Sequence, residues 1–312
     1  MAGSKRILVI RFTPLGEFVL AMGPFAAIRA HHPEAKITLL TAKPLAPLAE
    51  QCPYFDDVWI DDNPRPWEVA GLMRLRKKLR SVKFDMVYDL QTSERSSSYI
   101  HILGDPPWSG TAHNCSHPHA NPDRELMHIA DRQAEQLVMA GIATTPSADL
   151  SWVKADAGRF FLPARYALMV PGGVPHRPSQ RWPADRFGRI ANDMVSRGVT
   201  PVLLGTGEDE DLVKTVTGAC RTALSLVGRT DSMDVVALAR DAAGAVGNDS
   251  GAMHLIAAAG CPSVVLFSAD TDPNLCAPRG LVTVLRADDM ADLTVDSVRA
   301  ALTEGAGALR NL

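Results

Sequence analysis

The sequence predicts an α/β protein of two domains, each a parallel sheet covered by helices, with a cleft between them. Three observations carry this reading. Short apolar runs alternate with helix-patterned segments in both halves of the chain, as parallel strands buried on both faces require. A stretch of weak periodicity, residues 144–163, separates the halves and contains Pro146 and Pro163. The length of 312 residues suffices for two cores of ordinary size.

In the first half, residues 6–11 read as a strand and 17–31 as a helix, with Phe18, Met22 and Phe25 on one side. Strands follow at 36–40, 58–60 and 86–90, with helical patterns between them. From 105 to 124 the pattern lapses into Pro, Gly, His, Asn and Ser. A helix resumes near Glu125 and closes at Gly141, a C-cap signal. The predicted domains are 1–155 and 156–312. The second half repeats the alternation, with a strand at 166–170 and a helix opened by Pro183 at its first position and closed by Gly198. Strands follow at 201–204, 223–227, 245–247 and 263–267. A last helix near 295–303 is free to pack back on the first domain. Each half is Rossmann-like.

Composition narrows the function. Hydrophobic residues at 46% and charged residues at 21% describe a soluble globular chain. A net charge of -3 supplies no overall attraction to nucleic acid, so no nucleic-acid partner is expected. The five cysteines are odd in number and form no C-x-x-C pair, which speaks for reduced thiols. The apolar run after Lys5 and Arg6 ends at Arg11, too short for a signal peptide, and no run approaches the roughly 20 apolar residues of a membrane span. The expected location is cytoplasmic, compatible with peripheral contact at the inner membrane surface.

Residues suited to chemistry lie where strands end. After 245–247 come Asn248, Asp249, Ser250 and Gly251, then a helical run with Leu255 and Ile256. Asp249 or Ser250 is suited to cap that helix, and Gly251 lets a ligand approach the backbone. The free amides and helix dipole suit a diphosphate, to which His254 is placed to donate. The same residues would equally serve as a plain cap and turn. Gly172 and Gly173 end another strand, with Arg177, Gln180 and Arg181 downstream as phosphate partners. Glu17 after Gly16 offers a general base, though an acidic first turn also serves the helix dipole. His101, His113, Cys115, His117, His119 and His128 crowd one region, but Pro118 and Pro122 mark an irregular loop, so substrate contact is expected rather than a metal. Arg74, Arg76, Lys77, Lys78, Arg80 and Lys83 share a helix with Leu72, Met73, Leu75, Leu79 and Val82. It is either a solvated face or a surface for docking to an anionic membrane.

Together these residues resemble the ADP-heptose:lipopolysaccharide heptosyltransferases, glycosyltransferase family 9, over most of the chain. Residues 247–255 with 257–260 and Pro262 are similar to that family's donor signature. Thr271-Asp272-Pro273 and Arg181-Trp182-Pro183 are similar to two further elements, and Asp89-Leu90-Gln91, Arg95-Ser96 and Gly16-Glu17 to elements of its first half. The resemblance implies a GT-B fold: two Rossmann-like domains facing each other across a central cleft. It implies a donor held by Gly172, Gly173, Arg177, Gln180, Arg181, Asp249, Ser250, Gly251 and His254, an acceptor held by Gln91 and Arg95, and Glu17 as base. The implied reaction is inverting, metal-independent transfer of heptose from ADP-heptose to a lipid-linked or glycan acceptor, with no cofactor beyond that donor. Two residues depart from the family: Glu17 stands for an Asp, and Gln180 for a Lys. They motivate one alternative, a non-catalytic nucleotide-sugar-binding protein; the shared two-domain architecture motivates another, a sugar-nucleotide epimerase on the same scaffold.

Overall fold

The computed structural model describes residues 4–12, 14–65, 67–173 and 178–309; Arg177 lies outside them. The chain forms two compact units, residues 1–148 and 149–312. Leu150 and Val153 are buried, and Arg240 donates to both of their carbonyls, which ties this segment to the second unit.

The first unit runs β1 (Arg6–Ile10), α1 (Leu15–Leu20), α2 (Met22–His31), β2 (Lys36–Thr41), α3 (Ala46–Gln51), β3 (Asp57–Ile60), α4 (Val69–Arg80), β4 (Met86–Asp89), α5 (Glu94–Ile102), β5 (Trp108–Gly110), β6 (His117–Pro118) and α6 (Ile129–Met139). Its six strands are parallel in the order β3-β2-β1-β4-β5-β6. Ile7, Leu8, Val9 and Ile10 are fully buried between flanking strands and helices, as their unbroken apolar run requires.

The second unit runs β7 (Tyr166–Val170), α7 (Ala184–Ser196), β8 (Thr200–Leu203), α8 (Glu210–Ala219), β9 (Leu224–Ser225), α9 (Ser232–Asp241), β10 (Ala245–Asn248), α10 (Gly251–Ala258), β11 (Ser263–Phe267), α11 (Pro273–Cys276), β12 (Val282–Arg286) and α12 (Val295–Ala301). Its strands are also all parallel, in the order β12-β11-β10-β7-β8-β9.

Several elements differ from expectation. The helix expected over 17–31 is two helices meeting at Ala21. Pro24 has no N–H to donate, and its ring crowds the carbonyl four residues back, so a straight helix cannot run through this point. Pro183 is the N-cap of α7 rather than its first residue, with an extended ψ of 131°. Strands β5 and β6 form inside the stretch expected to be irregular, and β12 is a further strand. The last helix, α12, lies on α7 of its own unit: Val298, Ala301 and Leu302 join that core, and Arg299 pairs with Asp193 at 2.8 Å.

Asp89 ends β4 and shapes the turn into α5. Its carboxylate is wholly buried and accepts from the N–H groups of Gln91 (3.1 Å) and Thr92 (2.9 Å) and from the Ser96 hydroxyl (2.9 Å). Burial nevertheless pushes its pKa up to about 6, against the pull of those bonds. A carboxyl raised in the folded state destabilises the fold as pH rises from its unfolded value near 4 through 6. Asp89→Asn keeps an acceptor for both amides and has no charge to bury. Relative to the parent, the variant is expected to gain roughly 1 kcal/mol between about pH 5 and about pH 7.5 in urea titrations. A pH-independent difference would remove Asp89 from the acid response.

Candidate active site

Each sheet has one place where consecutive strands depart to opposite sides. In the first sheet it lies between β1 and β4, and in the second between β7 and β10. Loops at the carboxyl ends of such strands diverge and leave a crevice, the usual ligand position in open α/β sheets.

In the first unit Ile10 is level with Asp89, so Arg11 and Leu90 leave the sheet side by side. The Arg11 side chain is 2% exposed. It donates to the Leu90 carbonyl at 2.9 Å and to the Glu17 carboxylate at 2.5 Å. Burial draws the Arg11 pKa down, and Glu17 opposes this. Glu17, in the first turn of α1, keeps 31% of its side chain exposed. It is therefore a fixed carboxylate with one side open to solvent. The Gln91 Oε1 accepts the Phe12 N–H at 2.9 Å, so Gln91 braces the loop that carries Glu17. Thr92 beside it has a left-handed φ of 50°, uncommon for a branched residue.

Arg95 stands apart from this group. It pairs with the buried Asp61 after β3, with Nη2–Oδ1 at 2.7 Å and Nε–Oδ2 at 3.3 Å, and Tyr99 donates to the same carboxylate at 2.6 Å. Glu17 and Gln91 come together; Arg95 belongs to a different cluster.

In the second unit Gly247 is level with Val170, which puts Asn248 beside Pro171. Asn248 is fully buried. Its Nδ2 donates to the carbonyls of Pro171 (2.8 Å) and Gly172 (3.3 Å), and its Oδ1 accepts the Trp182 N–H at 3.0 Å. One amide thus joins the β10 end, the β7 loop and the segment leading to α7. A Cβ on Gly172 would lie 2.6 Å from Asp209 Cγ, and one on Gly247 would lie 2.6 Å from the Val170 Cβ, so both positions demand glycine. A Cβ on Gly173 would meet its nearest neighbour, Arg181 Cγ, at 3.8 Å, an ordinary contact, so packing does not demand glycine there.

Ser250 is the N-cap of α10, but neither it nor Asp249 makes the expected cap bond. The Asp249 carboxyl is half-buried; burial pushes its pKa up to about 6, opposed by a hydrogen bond from Thr271. The Gln180 Nε2 donates to the Thr271 hydroxyl at 3.3 Å, so the residue just before the expected 181–183 element meets the expected 271–273 element. Gln180 and His254 are both about 5% exposed. Among the described residues, the Ser250 hydroxyl and the Arg181 Nε are buried without a hydrogen-bond partner. Polar atoms in that state are costly in a closed core and point to a ligand that satisfies them.

Sequence reasoning missed Arg11, Asp61 and Arg124, and named Asp89 only as part of a family-like element. Arg124 donates to the Thr92 hydroxyl at 2.5 Å and to His119 Nδ1 at 3.0 Å, so the histidine-rich stretch does fold against the β4 loop. Burial, then Arg124, lowers the His119 pKa, favouring the neutral ring. Among the described residues no group of three or more His, Cys, Asp or Glu is arranged to hold a metal.

Comparison with known proteins agrees with this geometry. A family model described as glycosyltransferase family 9 (heptosyltransferase) matches residues 72–287. Lipopolysaccharide heptosyltransferase 2 of Escherichia coli (strain K12) is 24% identical over 305 residues, covering 86% of this chain and 85% of its own. The crystal structure of the glycosyl transferase family 9 protein from Veillonella parvula superposes with a TM-score of 0.84 at 22% identity, covering 96% of each chain. The E. coli ADP-heptose lps heptosyltransferase II superposes with a TM-score of 0.77 at 20% identity, covering 96% of this chain and 97% of that one. These likenesses identify the two units as the Rossmann-like halves of a GT-B fold. With a family model spanning well over half its length, the chain belongs to glycosyltransferase family 9, the heptosyltransferases, and is a glycosyltransferase that uses a nucleotide-sugar donor.

Proposed function

We propose that the chain moves a heptose from ADP-heptose to a lipopolysaccharide-core or related surface-glycan acceptor, inverting the anomeric centre. The observation that carries this reading is the pair of buried donors without a partner among the described residues, Ser250 Oγ and Arg181 Nε, with Arg181 next to Gly173 and Ser250 preceding Gly251 at the second switch point. They suit a diphosphate, and the E. coli protein of the same fold is named for ADP-heptose and lps.

In this reading the second unit binds the donor through the Gly172-Gly173 turn, Gln180, Arg181 and residues 249–254. Glu17 takes the proton from the acceptor hydroxyl, whose oxygen bonds to the anomeric carbon. The bond from that carbon to the diphosphate breaks, its electron pair leaving with ADP. Amides at the start of α10 and the Arg181 guanidinium meet the growing negative charge, without a metal in the step. Gln180 in place of Lys donates to Thr271 but brings no charge, so this reading assigns the charge to Arg181. Gln91 acts through the loop it braces, and Arg95 through the Asp61 cluster on the acceptor side. A lipid-linked acceptor brings the enzyme to a membrane surface; no helix among the described residues is long and apolar enough to cross one.

Three outcomes test the reading. Glu17→Gln is expected to lower kcat by about 100- to 10 000-fold with the Kd for ADP unchanged. Full activity would take Glu17 out of the mechanism. Gly251→Val, whose side chain blocks approach to the α10 amides, is expected to weaken ADP binding about tenfold or more by calorimetry. An unchanged Kd moves the diphosphate elsewhere. In a thermal-shift panel of ADP-, GDP- and UDP-sugars, the ADP compounds should raise Tm most at equal concentration. Preference for another base would change the donor, and conversion of the donor without acceptor would replace transfer by epimerisation.

A further inference from the structure

Helix α4 has an outward face that neither core nor solvent explains. It buries Leu75 and Leu79, which hold it to the first sheet. Bordering that stripe Leu72 is 37% exposed, and turned further from it Val69 is 61% and Met73 67% exposed; Trp67 just before the helix is 70% exposed. Scattered exposed apolar residues are ordinary, but four within seven positions form a patch. Positions 69, 72, 73, 76 and 80 fall on one side of a helix. Its N-terminal half is therefore apolar and its C-terminal half carries Arg76 and Arg80, with Lys77 alongside. The helix has five cations and no acidic residue, in a chain whose net charge is -3.

We propose that this face docks the protein on an anionic lipid surface, with Trp67, Val69, Leu72 and Met73 entering the headgroup boundary and Arg76, Lys77 and Arg80 meeting lipid phosphates. The charge pattern selects this occupant. Two copies meeting face to face about a two-fold axis would bring like charges together with no acid on the face to balance them. A soluble anionic saccharide would satisfy the cations but leave the apolar residues in water. A bilayer of anionic lipids offers both chemistries to one amphipathic face, and tryptophan is at home at its boundary.

The placement also deepens the functional reading, on which the next step rests. A cavity of about 700 Å³ lies between α4 and the segment after β3, with Asp62, Arg74 and Lys78 on its wall. Trp67 and Val69 belong both to this wall and to the docking face. Docking would hold the cavity at the lipid surface, where the sugar of a lipid-linked acceptor is presented.

The test is co-sedimentation of the full chain with phosphatidylcholine vesicles, with and without about 30% phosphatidylglycerol. Binding is expected only with the anionic lipid and should weaken with salt. Arg76→Gln with Lys77→Gln should lower partitioning roughly 25-fold, at about fivefold for each cation. Trp67→Ala with Met73→Ala should lower it about tenfold. Arg189→Gln with Lys214→Gln removes as much charge from exposed sites of the second unit and should change little. All of these side chains are exposed, so circular dichroism of the variants should match the parent. Equal binding to neutral vesicles, no binding, or equal loss in the second-unit variant would overturn the proposal. So would release by a lipid-free acceptor glycan, or a Met73→Glu variant that alters the oligomeric mass without altering vesicle binding. Transfer to a lipid-free acceptor tests the catalytic reading separately: its failure with vesicle binding intact counts against that reading and supports docking as a property of the fold.

Discussion

Parallel strands cannot be joined by tight hairpins, so every connection must cross a face of the sheet and return. A sheet that grows first to one side of its opening strand and then to the other must have one gap where neighbouring loops part. In this protein β1 and β7 are the opening strands, and β4 and β10 begin growth on the other side. Most of the residues discussed as functional owe their position to that single topological requirement, met once in each unit.

A gap of this kind is a weak point unless something spans it, and each unit spans it with a buried polar side chain. In the first, Arg11 reaches the Leu90 carbonyl while Gln91 reaches back to the Phe12 amide. In the second, Asn248 reaches two carbonyls of the β7 loop and the Trp182 amide. Each left unmet inside the protein costs on the order of 1–3 kcal/mol, so these bonds fix the loops while leaving the crevice itself open. Arg11 adds a second duty. Its second terminal nitrogen, Nη2, donates to the Glu17 carboxylate, which keeps that carboxylate in a defined position.

The regular alternation in the sequence was legible because most of its strands are unbroken apolar runs, as at Ile7–Ile10 or Ser263–Phe267. The loop after β10 was legible because its glycine and small polar residues have few other uses. Two of the shortest elements were not: Trp108–Gly110 and His117–Pro118 pair only because the sheet already presents an edge. Arg11 read as the end of an apolar run because its charge is visible locally and its partner at Leu90 is 79 residues away. Ser250 read as a cap, and the structure leaves its hydroxyl without that bond; the residue type was informative and the geometry was not. Arg95 was placed with the acceptor residues by likeness alone, and its tie to Asp61 depends on a turn after β3 that no local pattern announces.

Both switch-point strands are closed by an aspartate, Asp89 at the end of β4 and Asp249 just past β10, and burial pushes each carboxyl up to about 6. Near neutrality the protein therefore holds a small proton reserve at the two places where its loops part. The formal charge of -3 counts both groups as ionised, and at about pH 6 the two together carry roughly one negative charge fewer than that count gives them. An anion settling beside Asp249 favours the protonated carboxyl and draws a proton from the buffer. The heat released on such binding then includes the ionisation of whatever buffer supplied that proton.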